Sequence, residues 1–156
     1  MRFFPVVRAR ITAINGQPID PQKERAKRGD NFSRTFNLTY REQLLDDEKL
    51  IHGQPLFHPG WKEVQVSVLD TVTKMRPMAL GDSITFNIQG VPLKARISSI
   101  RTRSKEDLSP FFYFVFQPQA LQDAPQTLFT ATRVAPDRVG PLQARIAERF
   151  PNISGI

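Results

Sequence analysis

His52 and His58, with Asp46, Asp47 and Glu48 just ahead of them, are the residues of this chain whose types would suit a metal centre or an acid–base pair. Imidazole nitrogens and carboxylate oxygens ligate divalent ions, and the same groups move protons when burial or a neighbouring charge tunes their pKa. Their spacing argues against such a role. The gap between the two histidines runs through Gly53 and Pro55, so it imposes no ligand geometry of the kind two histidines one helical turn apart would have. Both read as loop histidines, and the acids as groups in polar surroundings. The chain has no Cys, which excludes disulfides, thiolate metal sites and cysteine nucleophiles. It has no Gly-x-Ser-x-Gly elbow to expose a serine nucleophile, and its scattered glycines form neither a Gly-x-Gly nor a Gly-Lys-Ser/Thr phosphate cradle. The expectation is therefore of no catalytic, cofactor-binding or metal-binding residue and no cofactor. A binding module is expected rather than an enzyme.

Charge offers a different chemistry. A net charge of +7 and a pI near 10.2 make a basic nucleic-acid-binding β-domain the alternative reading. The distribution weakens it. The densest basic run, KERAKRG at 23–29, contains a Glu and no aromatic residue on which a base could stack. A second group, Arg101, Arg103 and Lys105, lies at strand spacing and reads as three cations on one exposed sheet face. No nucleic-acid partner is expected. The longest apolar run is Phe111 to Phe116, far below the roughly 18 residues a helix needs to cross a bilayer. The opening MRFFPVVRARIT has a proline and arginines where a secretory signal would be apolar.

The elements that would position any site are mostly strands. In LGDSITFNIQGVPLKARISSI, residues 80–100, a two-residue turn at Gln89-Gly90 sets Ile88 opposite Val91, Phe86 opposite Leu93 and Ile84 opposite Ala95. Thr85, Asn87, Lys94 and Arg96 then share the other face, and the pair Ser98-Ser99 breaks the alternation as a bulge would. Residues 3–14 alternate as a long strand ending at Asn15-Gly16; Pro21 to Lys27 suits a short helix, and SRTFNLTY at 33–40 another strand. The segment 41–61 is rich in turn residues. Val64, Val66 and Val68 open a strand that passes into a helix from Leu69 to Met75. SPFFYFVFQ reads as a strand buried on both faces, PQALQ as one helical turn and QTLFTATRV as a strand. Val139, Leu142, Ile146 and Phe150 make one stripe of a helix starting near Asp137 or Gly140, after which NISGI resumes as a strand. Strand patterns already under way at residue 3 and resuming at Asn152 give the chain the look of a domain excised from a longer protein. The fold class expected is α+β, mostly antiparallel sheet with a few short helices.

Four stretches in order, SRTFNLTYREQLLDDEKLIHG, VQVSVLDTVTKMRPMALGDSITFNIQGVPLKARISSIR, SPFFYFVFQPQALQDAPQT and RIAERFPNISGI, together with the opening PVVRARITAINGQPI, resemble the large extracytoplasmic domain of bacterial ABC-transporter permeases. The branch they resemble is the YbbP-like one of the group typified by FtsX, LolC/LolE and MacB. LDTVTKM at 69–75 and TRSKEDLS at 102–109 depart from the family pattern. The resemblance implies a single periplasmic domain, 1–156, of an inner-membrane protein. It allows two lobes, a βαβ-type lobe of 1–45 with 122–156 and a β-rich inserted lobe of 46–121. It implies a cytoplasmic ATPase subunit reached through transmembrane helices, a periplasmic protein or a lipid-related cargo as further partners, and a dimer in the full-length transporter. Such a domain would act by mechanotransmission, turning ATP-driven movement into export or release of a hydrophobic or lipid-related substrate. The resemblance carries over no catalytic residue, and it leaves partner- and substrate-binding residues unassigned.

Overall fold

The computed structural model describes residues 3–104, 110–131 and 134–153. Nine strands share one mixed sheet, with four short helices beside it, so the chain is α+β and strand-dominated. The strands are β1 (Phe4–Ile14), β2 (Gln17–Pro18), β3 (Thr35–Tyr40), β4 (Glu48–His52), β5 (Gln65–Leu69), β6 (Ser83–Ile88), β7 (Val91–Arg103), β8 (Phe114–Phe116) and β9 (Thr127–Phe129). The helices are α1 (Pro21–Arg25), α2 (Asp70–Met75), α3 (Pro118–Leu121) and α4 (Pro136–Arg149).

The pairing closes on itself. β1 pairs with β3, β3 with β8, β8 with β5, β5 with β7, β7 with β6, and β6 returns to β1. This is a six-stranded barrel. Its β3–β8 and β5–β7 contacts are parallel and the rest antiparallel. Closure satisfies strand edges that an open sheet would leave bare. The two long strands make it possible: β7 gives its first half to β6 and its second half to β5 and β4. The ring takes two adjacent strands from residues 1–45 and four from 46–121, joined where β1 lies against β6 and β3 against β8.

Alternation decides what fills the barrel. Val7, Ala9 and Ile11 of β1, Phe36 and Leu38 of β3, Ile84, Phe86 and Ile88 of β6, and Ala95 and Ile97 of β7 are buried, whereas Arg8, Arg10 and Asn37 between them are exposed. Phe114 stands in the middle, edge-on to Phe36 at 5.4 Å and to Phe86 at 5.1 Å between ring centroids, and Phe86 meets Phe116 at 5.3 Å. These T-shaped contacts put the positive edge of one ring on the negative face of the next. A barrel of this size is filled by its own side chains.

The hairpin has the register read from its sequence: Ile84 faces Ala95, Phe86 faces Leu93 and Ile88 faces Val91. Asn87 Oδ1 accepts from the Gly90 N–H at 2.8 Å, closing the turn, where Gln89 and Gly90 both have positive φ. The predicted irregularity at Ser98-Ser99 is present as a register shift, Val66 opposing Ile97 while Ser67 opposes Ser99. Other expectations are met in shortened form. The buried strand of SPFFYFVFQ is the three residues of β8, and QTLFTATRV forms β9 only at 127–129, with residues 132 and 133 outside the described range. The turn-rich segment after 41 contains a strand that its turn residues concealed, β4, paired to the end of β7. Asn152 and Ile153 do not resume a strand, and residues 154–156 lie outside the described range.

Candidate functional site

Charged and polar side chains converge on the outer wall of the barrel, where β5 and β7 are covered by residues 41–58 and by the chain entering β8. The bulge at Ser98 sets Ser99 and Arg101 outward and Ile97 and Ile100 inward. Arg101 has no exposed surface. Its Nε donates to Glu48 Oε2 at 2.9 Å, its Nη1 to the Ser67 carbonyl at 2.7 Å, and its Nη2 to the Phe112 carbonyl. One guanidinium thus ties β7 to β4, to β5 and to the residues ahead of β8. Glu48 is equally engaged, accepting at Oε1 from Arg41 Nη2 at 2.6 Å and from the Leu45 N–H at 3.0 Å. Beside it Ser99 Oγ donates to Ser67 Oγ at 2.8 Å, and Ser98 Oγ donates to the Leu56 carbonyl at 2.9 Å.

Electrostatics favour the charged forms of this cluster. Burial pushes the Glu48 carboxyl up, but Arg101, Arg41 and the Leu45 N–H outweigh it and hold the group below its usual value. Burial lowers the Arg101 guanidinium to about 10, with Glu48 pulling the other way, so it remains a cation at neutral pH. The pair is ionised at neutral pH, and the hydrogen bonds that both groups make offset the desolvation cost of burying it.

Two of the sequence expectations are corrected here. Arg101 does not belong to an exposed cationic face: it is fully buried, its guanidinium enclosed by Glu48, Ser67 and Phe112. Arg103 sits near Asp47, at 3.6 Å, and over the Phe111 ring at 4.7 Å, and Lys105 lies outside the described residues, as does 105–109 of the segment that departs from the family pattern. Nor are all the acids in polar surroundings, since Glu48 and Glu24 are buried. For Glu24, burial raises the carboxyl, but the bonds from Lys27 and the Phe32 N–H outweigh it and leave the group below its usual value.

The histidines stay apart from these acids. His52 is exposed at the end of β4; His58 is exposed, stacked on Trp61 at 5.2 Å, and its Nδ1 accepts from the Gly60 N–H at 3.1 Å. Arg96 lies over the Trp61 ring at 4.3 Å and reaches Glu63 at 3.4 Å. Among the described residues no group of three or more His, Asp or Glu is placed to hold a metal ion. A second surface cluster went unnoticed in the sequence. Arg34 pairs with Asp30 at 2.7 Å and lies over the Phe36 and Tyr113 rings, while Tyr113 Oη donates to Asp30 at 2.9 Å. Burial raises the Asp30 carboxyl, yet Arg34 and the Tyr113 hydroxyl hold it below its usual value. The i, i+4 spacing of Asp30 and Arg34 was the available signal, but only the fold brings Tyr113 to it.

These clusters hold the wall together; their hydroxyls and carboxylates are occupied with backbone and guanidinium groups rather than aligned as nucleophile and base. Sequence comparison sets this filled barrel beside a transport protein: the chain is related, along nearly its whole length, to part of an ABC transporter permease. That relative is the uncharacterized ABC transporter permease YbbP of Escherichia coli strain K12, 32% identical over 154 residues that take in 97% of this chain and 18% of the relative. The chain therefore spans under a fifth of the length of the protein it matches. No family model matches the chain, and no solved structure does. Among the described residues no helix is long and apolar enough to cross a membrane.

Proposed function

We propose that this chain is the extracytoplasmic, periplasmic domain of an ABC-transporter permease of the YbbP-like branch, and that it transmits ATP-driven movement to the export or release of a hydrophobic or lipid-related substrate. The observation that carries the reading is the similarity to a permease across nearly all of the chain. The barrel supports the mechanical part, because a closed, filled ring tied across its wall by Arg101 moves as a body rather than deforming. The motor in this reading is a separate cytoplasmic ATPase subunit, reached through transmembrane helices of the larger protein, and the domain itself catalyses nothing. Nothing in the similarity favours the nucleic-acid alternative, and Lys27, Arg34, Arg41, Arg96, Arg101 and Arg103 all have carboxylate partners.

Because the chain has no Cys, one thiol introduced into it reports its compartment once any cysteine elsewhere in the permease is replaced. Lys94→Cys, on the exposed face of β7, placed in the whole permease, is expected to react with a membrane-impermeant maleimide in intact spheroplasts. Labelling only after lysis would overturn the extracytoplasmic placement. In the permease reconstituted with its ATPase subunit, Arg101→Met is expected to reduce substrate release per ATP hydrolysed; unchanged coupling would remove the mechanical role.

A further inference from the structure

Helix α4 is amphipathic, yet none of its residues is buried and none joins the barrel core or the smaller cluster of Phe4, Leu45, Phe112 and Val115. Val139, Leu142, Ile146 and the capping Phe150 lie along one stripe; Leu142 and Ile146 are partly buried, and Val139 and Phe150 remain 38% and 52% exposed. At 3.6 residues per turn, Arg138, Arg145 and Arg149 fall together along the side that adjoins Leu142, while Asp137 and Glu148 fall on the opposite face. None of the three arginines is ion-paired with a carboxylate among the described residues. The exposed apolar residues Leu128 and Phe129 of β9 and Ile153 just beyond the helix belong to the same stretch of chain.

An apolar stripe needs a cover, and the charges beside it select which one. A protein groove that took only the stripe would leave the arginines and acids to distribute freely around the polar face. Here the cations border the apolar face and the anions are turned away from it, which is the arrangement that seats apolar side chains among acyl chains with guanidinium groups at the level of lipid phosphates. We infer that α4 lies on the surface of an anionic bilayer, its stripe in the interface and Arg138, Arg145 and Arg149 on the headgroups. The inference rests on the permease reading only for the nearness of a membrane. In that setting α4 would hold one side of the barrel against the bilayer.

The test is flotation of the 156-residue chain with vesicles of phosphatidylcholine, with and without phosphatidylglycerol. Binding is expected with phosphatidylglycerol and not without it. Arg138→Glu/Arg145→Glu/Arg149→Glu is expected to lower partitioning by at least about two orders of magnitude, and Leu142→Ser/Ile146→Ser to abolish it. The charge-matched Arg8→Glu/Arg10→Glu/Lys94→Glu, all on the exposed barrel wall, is expected to keep most of the binding. Unchanged melting temperatures would show that each variant retains its barrel. Equal loss in both charge variants would make the binding a property of the overall +7 charge and overturn the inference. So would absence of vesicle binding, or a dimer dissolved by Leu142→Ser/Ile146→Ser, which would assign the stripe to a second copy. Flotation requires no transporter, so its failure and the failure of the spheroplast labelling are read separately.

Discussion

Arg101 shows how one residue can carry the joinery of a small barrel. Its guanidinium donates to three segments distant in sequence, 48, 67 and 112, which a lysine with a single ammonium point could not serve in the same fixed fork. Arg101→Met should therefore destabilise the fold by about 3 kcal/mol, since Glu48 would stay buried with only Arg41 opposite. Urea unfolding measures this, and a loss below about 1 kcal/mol would mean that the contacts are incidental. Arg101→Lys should recover only part of it. Glu48 adds a pH dependence of known sign. Its folded pKa lies below the ordinary 4.5, so its contribution is fully present above that value and is lost as pH falls through the folded one. The stability gap between wild type and Glu48→Gln should accordingly be widest near neutrality and close on acidification towards pH ~3. A gap independent of pH would show that the carboxylate's charge does not stabilise the fold.

Among the elements, the barrel strands and α4 stand at opposite extremes. β7 is legible because its alternation has to serve one buried face at a time: Leu93, Ala95 and Ile97 point inward until the bulge, after which Ile100 takes over and Ser99 and Arg101 face the covering loop. That loop is itself held closely. Gly53 has φ of +83°, and a Cβ there would meet the Ser98 carbonyl oxygen at 2.6 Å, so Gly53→Ala should cost more than about 1 kcal/mol in a chemical melt. The opposite outcome is expected for α4. With no buried residue, Leu142→Ala should change barrel stability by less than about 0.5 kcal/mol. A larger shift in the melting transition would show that the helix is packed on the barrel in solution. β4 was missed in the sequence because it is five residues long and bounded by turn formers, and its partner is the far end of β7 rather than a neighbour.

At the scale of the whole molecule, six strands from both halves of the chain form one ring around a shared aromatic filling. Such a ring should unfold in a single cooperative transition, with tryptophan fluorescence at Trp61 and far-ultraviolet circular dichroism tracing the same curve; two lobes of independent stability would separate the two probes. From its sequence alone this protein has a determined strand periodicity, the register of its central hairpin, the bulge at Ser98-Ser99, the amphipathic stripe of α4 and a resemblance along nearly its full length to permease domains. Each of these depends on residues close together in the chain, where the repeat of two or of 3.6 leaves a mark whatever surrounds it. Only the tertiary structure decided that the sheet closes, that Glu48 and Arg101 are buried as a pair, and that Tyr113 meets Asp30. Burial is set by what covers a face, and strands at identical spacing can be wet or dry according to a partner dozens of residues away.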